Sequence, residues 1–97
     1  MARTVLITGG SGALGQALVL KFCEAGDKVF FTYHNNEKSA QELAHKTGAV
    51  SLRADLSLNQ DVTRMAGEIE AKCAGVDVLV NNAGATQVMP FALIEEE

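Results

Sequence analysis

Short apolar runs alternate with segments of helical periodicity along the whole chain. The apolar runs predict buried strands at residues 5–7, 28–33, 50–53 and 76–80. Between them, apolar residues recur every three or four positions and predict three amphipathic helices. The inward stripes are predicted to be Leu14, Ala17, Leu18, Phe22 and Ala25; then Ala40, Leu43, Ala44 and Thr47; then Val62, Met65, Ala66, Ile69 and Cys73. The resulting order is βαβαβαβ.

Capping residues mark where these helices begin and end. Gly26 and Gly48 are placed to end the first two helices. Asn35 or Asn36 begins the second helix, and Ser57-Leu58-Asn59-Gln60 has the form of a capping box for the third. Strands that alternate with helices imply a parallel sheet with right-handed crossovers. The predicted fold is an α/β, Rossmann-type doubly wound sheet with strand order 3-2-1-4.

A glycine-rich segment, residues 9–15, follows the first strand directly and opens the first helix. Glycines permit a tight turn and a close approach of backbone to an anion, and the helix start presents free N–H groups and a positive dipole end. A side chain at Gly9 or Gly12 could block both the turn and the ligand. The pattern therefore favours a nucleotide pyrophosphate site, with a plain tight turn as the alternative.

Composition and charge narrow the class of protein. The chain has 97 residues, which fits one domain at most, and is 47% hydrophobic and 21% charged. It has no apolar run long enough for a secretory signal or a membrane span, so the expected location is the cytoplasm. The net charge of −4 gives no support for nucleic-acid binding. Cys23, Cys73, His34 and His45 lack metal-ligand spacing, so we expect reduced thiols and no metal site.

Three motifs together resemble the N-terminal cofactor-binding half of the short-chain dehydrogenase/reductase family. They are Thr8-Gly9-x-x-x-x-x-Gly15, Ala54-Asp55-Leu56 after the third strand, and Val76-Asp77-Val78-Leu79-Val80-Asn81-Asn82-Ala83-Gly84. The glycine turn alone also fits the extended, epimerase-like branch, and Ala13 stands where the compact branch usually has glycine. The Asn-Asn-Ala-Gly segment favours the compact branch. The resemblance identifies residues 1–97 as a dinucleotide-binding segment, the N-terminal part of a longer reductase domain.

The resemblance implies a set of cofactor-binding residues. The backbone of the glycine turn surrounds the adenosine ribose and diphosphate, and Gly15 lets the helix pack on the sheet. Asp55 accepts a hydrogen bond from the adenine amino group, unless it only favours the positive end of the next helix. Asn81 tethers neighbouring strands. The implied set is Gly9, Gly10, Ser11, Gly12, Leu14, Tyr33, His34, Asp55, Leu56, Asn82, Ala83 and Gly84.

The end of the second strand bears on the choice of cofactor. An acidic residue about twenty positions past the glycines would bind the ribose 2′-hydroxyl and select NAD. This chain has Tyr33-His34-Asn35-Asn36 there, so a 2′-phosphate is not repelled, and His34, Asn35 or Lys38 could contact it. Many phosphate-selective relatives carry a basic residue where Gly12 stands. We predict NADP(H) over NAD(H) by a small margin; an ordinary aromatic strand end is the alternative for Tyr33 and His34.

No catalytic residue is assigned in this chain. Family members protonate a carbonyl oxygen with a tyrosine tuned by a lysine four residues later, and a serine orients the substrate. Here Tyr33 is the one tyrosine, and Glu37 follows it four positions later. We expect the chain alone to be inactive and to be the first part of a longer reductase. A fragment, a truncated gene product and half of a split protein all fit.

The complete protein is expected to be a homo-oligomeric oxidoreductase acting on a small carbonyl or alcohol substrate. The end of the second strand and the Asn-Asn-Ala-Gly loop are most similar to those of 3-oxoacyl-carrier-protein reductases. The alternative is a noncatalytic dinucleotide-binding or partner-completing module. A Ser and a Tyr-x-x-x-Lys in the downstream reading frame would favour the enzyme, and a genuine stop codon would favour the module.

Overall fold

The computed structural model describes residues 3–73 and 75–82 of the chain. Strands and helices alternate along them in the order β1 (Thr4–Thr8), α1 (Ala13–Glu24), β2 (Lys28–Tyr33), α2 (Glu37–Thr47), β3 (Val50–Arg53), α3 (Asn59–Lys72) and β4 (Val78–Asn81). Within this part of the chain the strands form one parallel sheet in the order β3-β2-β1-β4. The predicted Rossmann-type architecture and strand order are confirmed.

Helices cover both faces of the sheet, which explains the continuous apolar runs. Successive strand side chains point to opposite faces. Val5 and Ile7 of β1 pack with residues of α1 and α2, whereas Leu6 packs with Phe30 and with α3. Every residue of β1 is therefore buried, as expected of a central parallel strand. None of the described helices is both long and apolar enough to cross a membrane.

Helix α1 buries a different stripe from the predicted one. Gly15 and Val19 are its buried residues, and Leu18 and Phe22 are partly buried. Leu14, with 65% of its surface exposed, faces solvent, as do Ala17 and Ala25. The prediction is confirmed for Leu18 and Phe22, which pack against the core, and was wrong for Leu14, Ala17 and Ala25, because it weighted apolar side chains alone. The helix instead turns its glycine toward the preceding turn, and this contact sets which face is inward.

The predicted helix ends are largely confirmed. Gly26 and Gly48 have φ angles of 90° and 84°, the left-handed region in which glycine commonly ends a helix. Asn36 occupies the N-cap position of α2. Strand β4 begins two residues later than predicted. Before it, the Asp77 carboxylate accepts a hydrogen bond of 2.7 Å from the Thr4 N–H, which aligns the approaching chain with β1.

We predict that Leu6→Ala lowers the free energy of unfolding by about 2–5 kcal/mol, because it leaves a cavity between the sheet and α3. Leu6 is fully buried, whereas Leu20 is 39% exposed on α1. The matched change Leu20→Ala should cost no more than about 0.5 kcal/mol. Urea unfolding followed by circular dichroism measures both. Equal losses in the two variants would contradict the assignment of the core.

Candidate functional site

A cleft opens where the carboxyl ends of β1, β2 and β3 meet. Its volume is about 210 Å³, and it is lined by Gly9, Thr32, Tyr33, His34, Ala54, Asp55, Leu56 and Ser57. Ligands of open α/β sheets bind at this end of the strands. The volume is below the roughly 300–1,000 Å³ that encloses a whole drug-sized molecule. The cleft is therefore large enough for one ring system, and it adjoins the turn after β1.

The turn after β1 is anchored to the elements on both sides of that strand. Gly9 has a φ of 70°, in the left-handed region. Its N–H donates to Thr32 Oγ1 at 3.0 Å, and the Gly10 N–H donates to the Thr32 carbonyl at 2.9 Å. Asn82, which follows β4, donates from Nδ2 to the Gly9 carbonyl at 3.0 Å. The peptide groups of Gly9 are thus held from β2 and from the end of β4.

The glycines of this segment serve different purposes. A Cβ at Gly10 would lie 2.6 Å from the Cβ of Phe31, and one at Gly15 would overlap the Gly9 carbonyl oxygen and lie 2.7 Å from the Gly10 Cα. These two positions are required by packing, and Gly15 packs on the turn itself. At Gly12 the nearest atom to an added Cβ is 3.9 Å away. The expectation that a side chain at Gly12 obstructs the turn was therefore wrong.

Among the residues that the structure describes, the start of α1 presents backbone donors without a partner next to the turn. Gly12 is the N-cap residue and supplies no side-chain cap, and the first turn contains no acidic residue. The first hydrogen bond of the helix runs from the Gln16 N–H to the Gly12 carbonyl at 2.8 Å. The amides of residues 13–15 come before it and have no carbonyl within the helix to which they can donate. Free N–H groups and the positive dipole end make this a suitable place for an anion.

The opposite wall of the cleft brings together two residues of the predicted set. His34, after β2, has its Nε2 3.6 Å from Oδ2 of Asp55, after β3. Asp55 Oδ1 accepts hydrogen bonds from the Ser57 hydroxyl at 2.6 Å and the Ser57 N–H at 3.0 Å. These bonds hold the pKa of the Asp55 carboxyl below its usual range. Asp55 is therefore an ionised hydrogen-bond acceptor at neutral pH.

The predicted capping box does not form. Helix α3 begins at Asn59, with Leu58 in the N-cap position and no side-chain cap. The Ser57 hydroxyl donates to the Asp55 carboxylate instead, a charge-assisted bond that is stronger than one involving a backbone amide. Asp61 also contributes to this loop, since its Oδ2 accepts the Asp55 N–H at 2.8 Å.

The remaining predicted residues have mixed surroundings. Tyr33 is 8% exposed and packs on the α1 and α2 side of the sheet while still lining the cleft. Leu56 lines the cleft and packs against the α3 side. Leu14 is exposed at the start of α1, and the Ser11 carbonyl accepts a hydrogen bond from Gln16 Nε2 at 2.8 Å. Ala83 and Gly84 lie outside the described residues.

Two threonines, Thr8 and Thr32, make further polar contacts at this end of the sheet. Thr8 Oγ1 donates to Asn81 Oδ1 at 3.1 Å, which joins the ends of β1 and β4 and fits the predicted tethering role of Asn81. Thr32, to which the sequence assigned no role, is 1% exposed and accepts both turn amides. The sequence carries no local signal for this role, because the role depends on the register that sets β2 beside β1. The residues that the structure describes include no cluster of His, Cys, Asp and Glu able to hold a metal.

Comparisons with known proteins relate the chain to one family. Residues 3–97 match the profile of the short chain dehydrogenase family. The chain is 36% identical over 91 residues to the acetoacetyl-CoA reductase of Shinella zoogloeoides, covering 94% of this chain and 38% of that protein. It is 42% identical over 86 residues to the NADPH-dependent pterin aldehyde reductase of Arabidopsis thaliana, covering 86% and 36% respectively.

A solved structure shows the same architecture at similar sequence identity. A short-chain dehydrogenase from Streptomyces avermitilis superposes with a TM-score of 0.78 and 33% identity over 91% of this chain and 33% of that chain. The chain thus spans less than two fifths of the length of the two curated relatives. The likeness concerns the part that contains the turn and the cleft.

We predict opposite effects for the same substitution at two helical glycines. Gly15→Ala should lower the free energy of unfolding by about 1–3 kcal/mol, because its Cβ displaces the turn. Gly67, within α3, has no atom within 4 Å of an added Cβ. Gly67→Ala should raise stability by about 0.5–1 kcal/mol through helix propensity alone. Thermal or urea unfolding measures both. A gain at Gly15 equal to that at Gly67 would refute the described turn packing.

Proposed function

This chain belongs to the short-chain dehydrogenase family, and we propose that it supplies the cofactor-binding half of an NAD(P)(H)-dependent oxidoreductase. The reaction is hydride transfer between the nicotinamide and a carbonyl or alcohol carbon. The observation that carries the proposal is the uncapped start of α1, positioned beside the cleft by a Gly9 turn that is anchored on both sides.

The proposal assigns a part of the dinucleotide to each wall of the site. Amides of residues 11, 13 and 14 bind the diphosphate, whereas Gly10 and Gly12 shape the turn because their own N–H groups are bonded to the carbonyls of Thr32 and Gly9. The Asp55 carboxylate accepts the adenine amino group, and the Leu56 amide donates to the adenine ring. Residues 82–84 line the cofactor beside its ribose. The bound cofactor supplies the hydride, and this half of the protein holds and orients it.

We propose a 3-oxoacyl compound as the substrate class of the complete protein. One relative is named as a reductase of acetoacetyl-CoA, which is a 3-oxoacyl thioester, and another as a reductase of a pterin aldehyde. Both names describe carbonyl compounds, which supports carbonyl reduction in general. The first agrees with the resemblance of the β2 end to 3-oxoacyl-carrier-protein reductases.

We propose NADP(H) as the preferred cofactor. Residues 34–36, which follow β2, contain no carboxylate that would repel a 2′-phosphate, and the His34 side chain is 50% exposed at the mouth of the cleft. Asn35 and Lys38 are exposed nearby in sequence and can contribute hydrogen bonds. The pterin aldehyde reductase, named for NADPH dependence, supports the same choice.

The first test separates the effect of the turn on binding from its effect on folding. Gly9→Ala and Gly26→Ala each place a side chain at a positive φ, 70° and 90° respectively, and each should cost about 1–2 kcal/mol of stability. Only Gly9→Ala should weaken NADPH binding in a calorimetric titration, by about tenfold or more, through lost charge-assisted hydrogen bonds. Unchanged affinity in Gly9→Ala, or equal losses in both variants, would refute the site.

The second test uses the open space at Gly12. Its φ of −75° accepts any residue, and an added Cβ meets nothing closer than 3.9 Å. Gly12→Arg should therefore cost no more than about 1 kcal/mol, the usual loss of a favoured N-cap residue. It should raise the NADPH-to-NADH affinity ratio about tenfold by pairing with the 2′-phosphate. Gly12→Gln is the uncharged control and should leave the ratio within about twofold. An unchanged ratio in Gly12→Arg would place the 2′-phosphate elsewhere.

A further inference from the structure

We propose that Thr32 is a positioning residue for the cofactor diphosphate, an inference that rests on the proposed function. Thr32 contacts the Gly9 turn twice. Its Oγ1 accepts the Gly9 N–H at 3.0 Å, and its carbonyl accepts the Gly10 N–H at 2.9 Å. The carbonyl contact is available to any residue at this position, whereas the hydroxyl contact requires Thr or Ser.

The hydroxyl contact matters because Gly9 is conformationally free on its own. Glycine populates positive and negative φ about equally, so the φ of 70° at Gly9 is not selected by the residue itself. Thr32 is 1% exposed in the sheet. Its hydroxyl is the hydrogen-bond acceptor that the structure shows for the Gly9 N–H among the described residues. A fixed acceptor in a buried strand therefore selects the turn conformation in which the following amides converge on the diphosphate.

Loss of this selection reduces affinity in a predictable manner. The apparent dissociation constant of a ligand rises in inverse proportion to the fraction of protein in the binding-competent conformation. Replacing the hydroxyl by a methyl group leaves the partly buried Gly9 N–H without its partner. A fall of the competent fraction to about one tenth, typical for the loss of one such bond, weakens diphosphate binding about tenfold.

The test compares a ligand that contains the diphosphate with one that lacks it. Calorimetry measures NADPH and adenosine 2′-monophosphate on the purified 97-residue chain and its variants. Thr32→Val should weaken NADPH binding about tenfold and leave adenosine 2′-monophosphate within about twofold. Thr32→Ser, which keeps the acceptor, should stay within about twofold for both ligands. Thr4→Val makes the same change at a buried strand position at the far end of β1 and should alter neither affinity.

The possible results distinguish a failure of the inference about Thr32 from a failure of the proposed function. If the unmodified chain binds neither NADPH nor NADH, the proposed function fails, and the inference fails with it. If the unmodified chain binds NADPH and Thr32→Val either retains that affinity or loses both ligands equally, only the role of Thr32 is overturned. If Thr32→Val does not fold, Thr32→Cys replaces it, because a thiol is a weak acceptor. Thr32→Cys must then show the selective loss of NADPH relative to Thr32→Ser.

Discussion

The left-handed conformation of Gly9 at the end of β1 determines the rest of the site. It reverses the chain between the central strand and α1. It is held by a hydrogen bond that the Gly9 N–H donates to Thr32 on β2 and by one that the Gly9 carbonyl accepts from Asn82 after β4. Gly15 can then lie directly against the turn, which fixes the rotation of α1 about its own axis. Within the described part of the chain, the same arrangement leaves the amides of residues 13–15 without a hydrogen-bond partner beside the cleft.

The glycines divide according to the physical constraint that each one meets. Gly9 satisfies a backbone angle, and Gly10 and Gly15 satisfy close packing against Phe31 and against the turn. Gly12 meets neither constraint, so a glycine there is not required for folding. A glycine-rich motif thus combines positions at which folding requires glycine with a position that has room for a side chain.

Much of the fold was predictable because it depends on local periodicity. Continuous apolar runs such as Val5-Leu6-Ile7 indicate strands covered on both faces, and their alternation with helices implies the parallel order that the structure shows. The rotation of α1 was not predictable from apolar spacing, because a glycine contact with the turn outweighed the exposed Leu14. The capping box failed because the Ser57 hydroxyl has a carboxylate partner two residues earlier.

The candidate site was predictable to a similar degree. Motifs placed His34 and Asp55 at one end of the sheet, where the structure brings them within 3.6 Å of each other. The contribution of Thr32 could not be read from the sequence, because it depends on the parallel register that sets β2 beside β1. Contacts between chemically ordinary residues on neighbouring strands are tertiary properties, and local patterns do not encode them.

Amide NMR of the ¹⁵N-labelled chain during titration with NADPH tests the central claim most directly. Lys28 and Val50 begin β2 and β3 at the opposite, amino end of the sheet and provide an internal comparison. We expect saturable shift changes at the amides of residues 11–14 and 55–56, with the amides of Lys28 and Val50 unaffected. Saturable binding that leaves the amides of residues 11–14 unchanged, or that shifts Lys28 and Val50 to the same extent, would contradict the account.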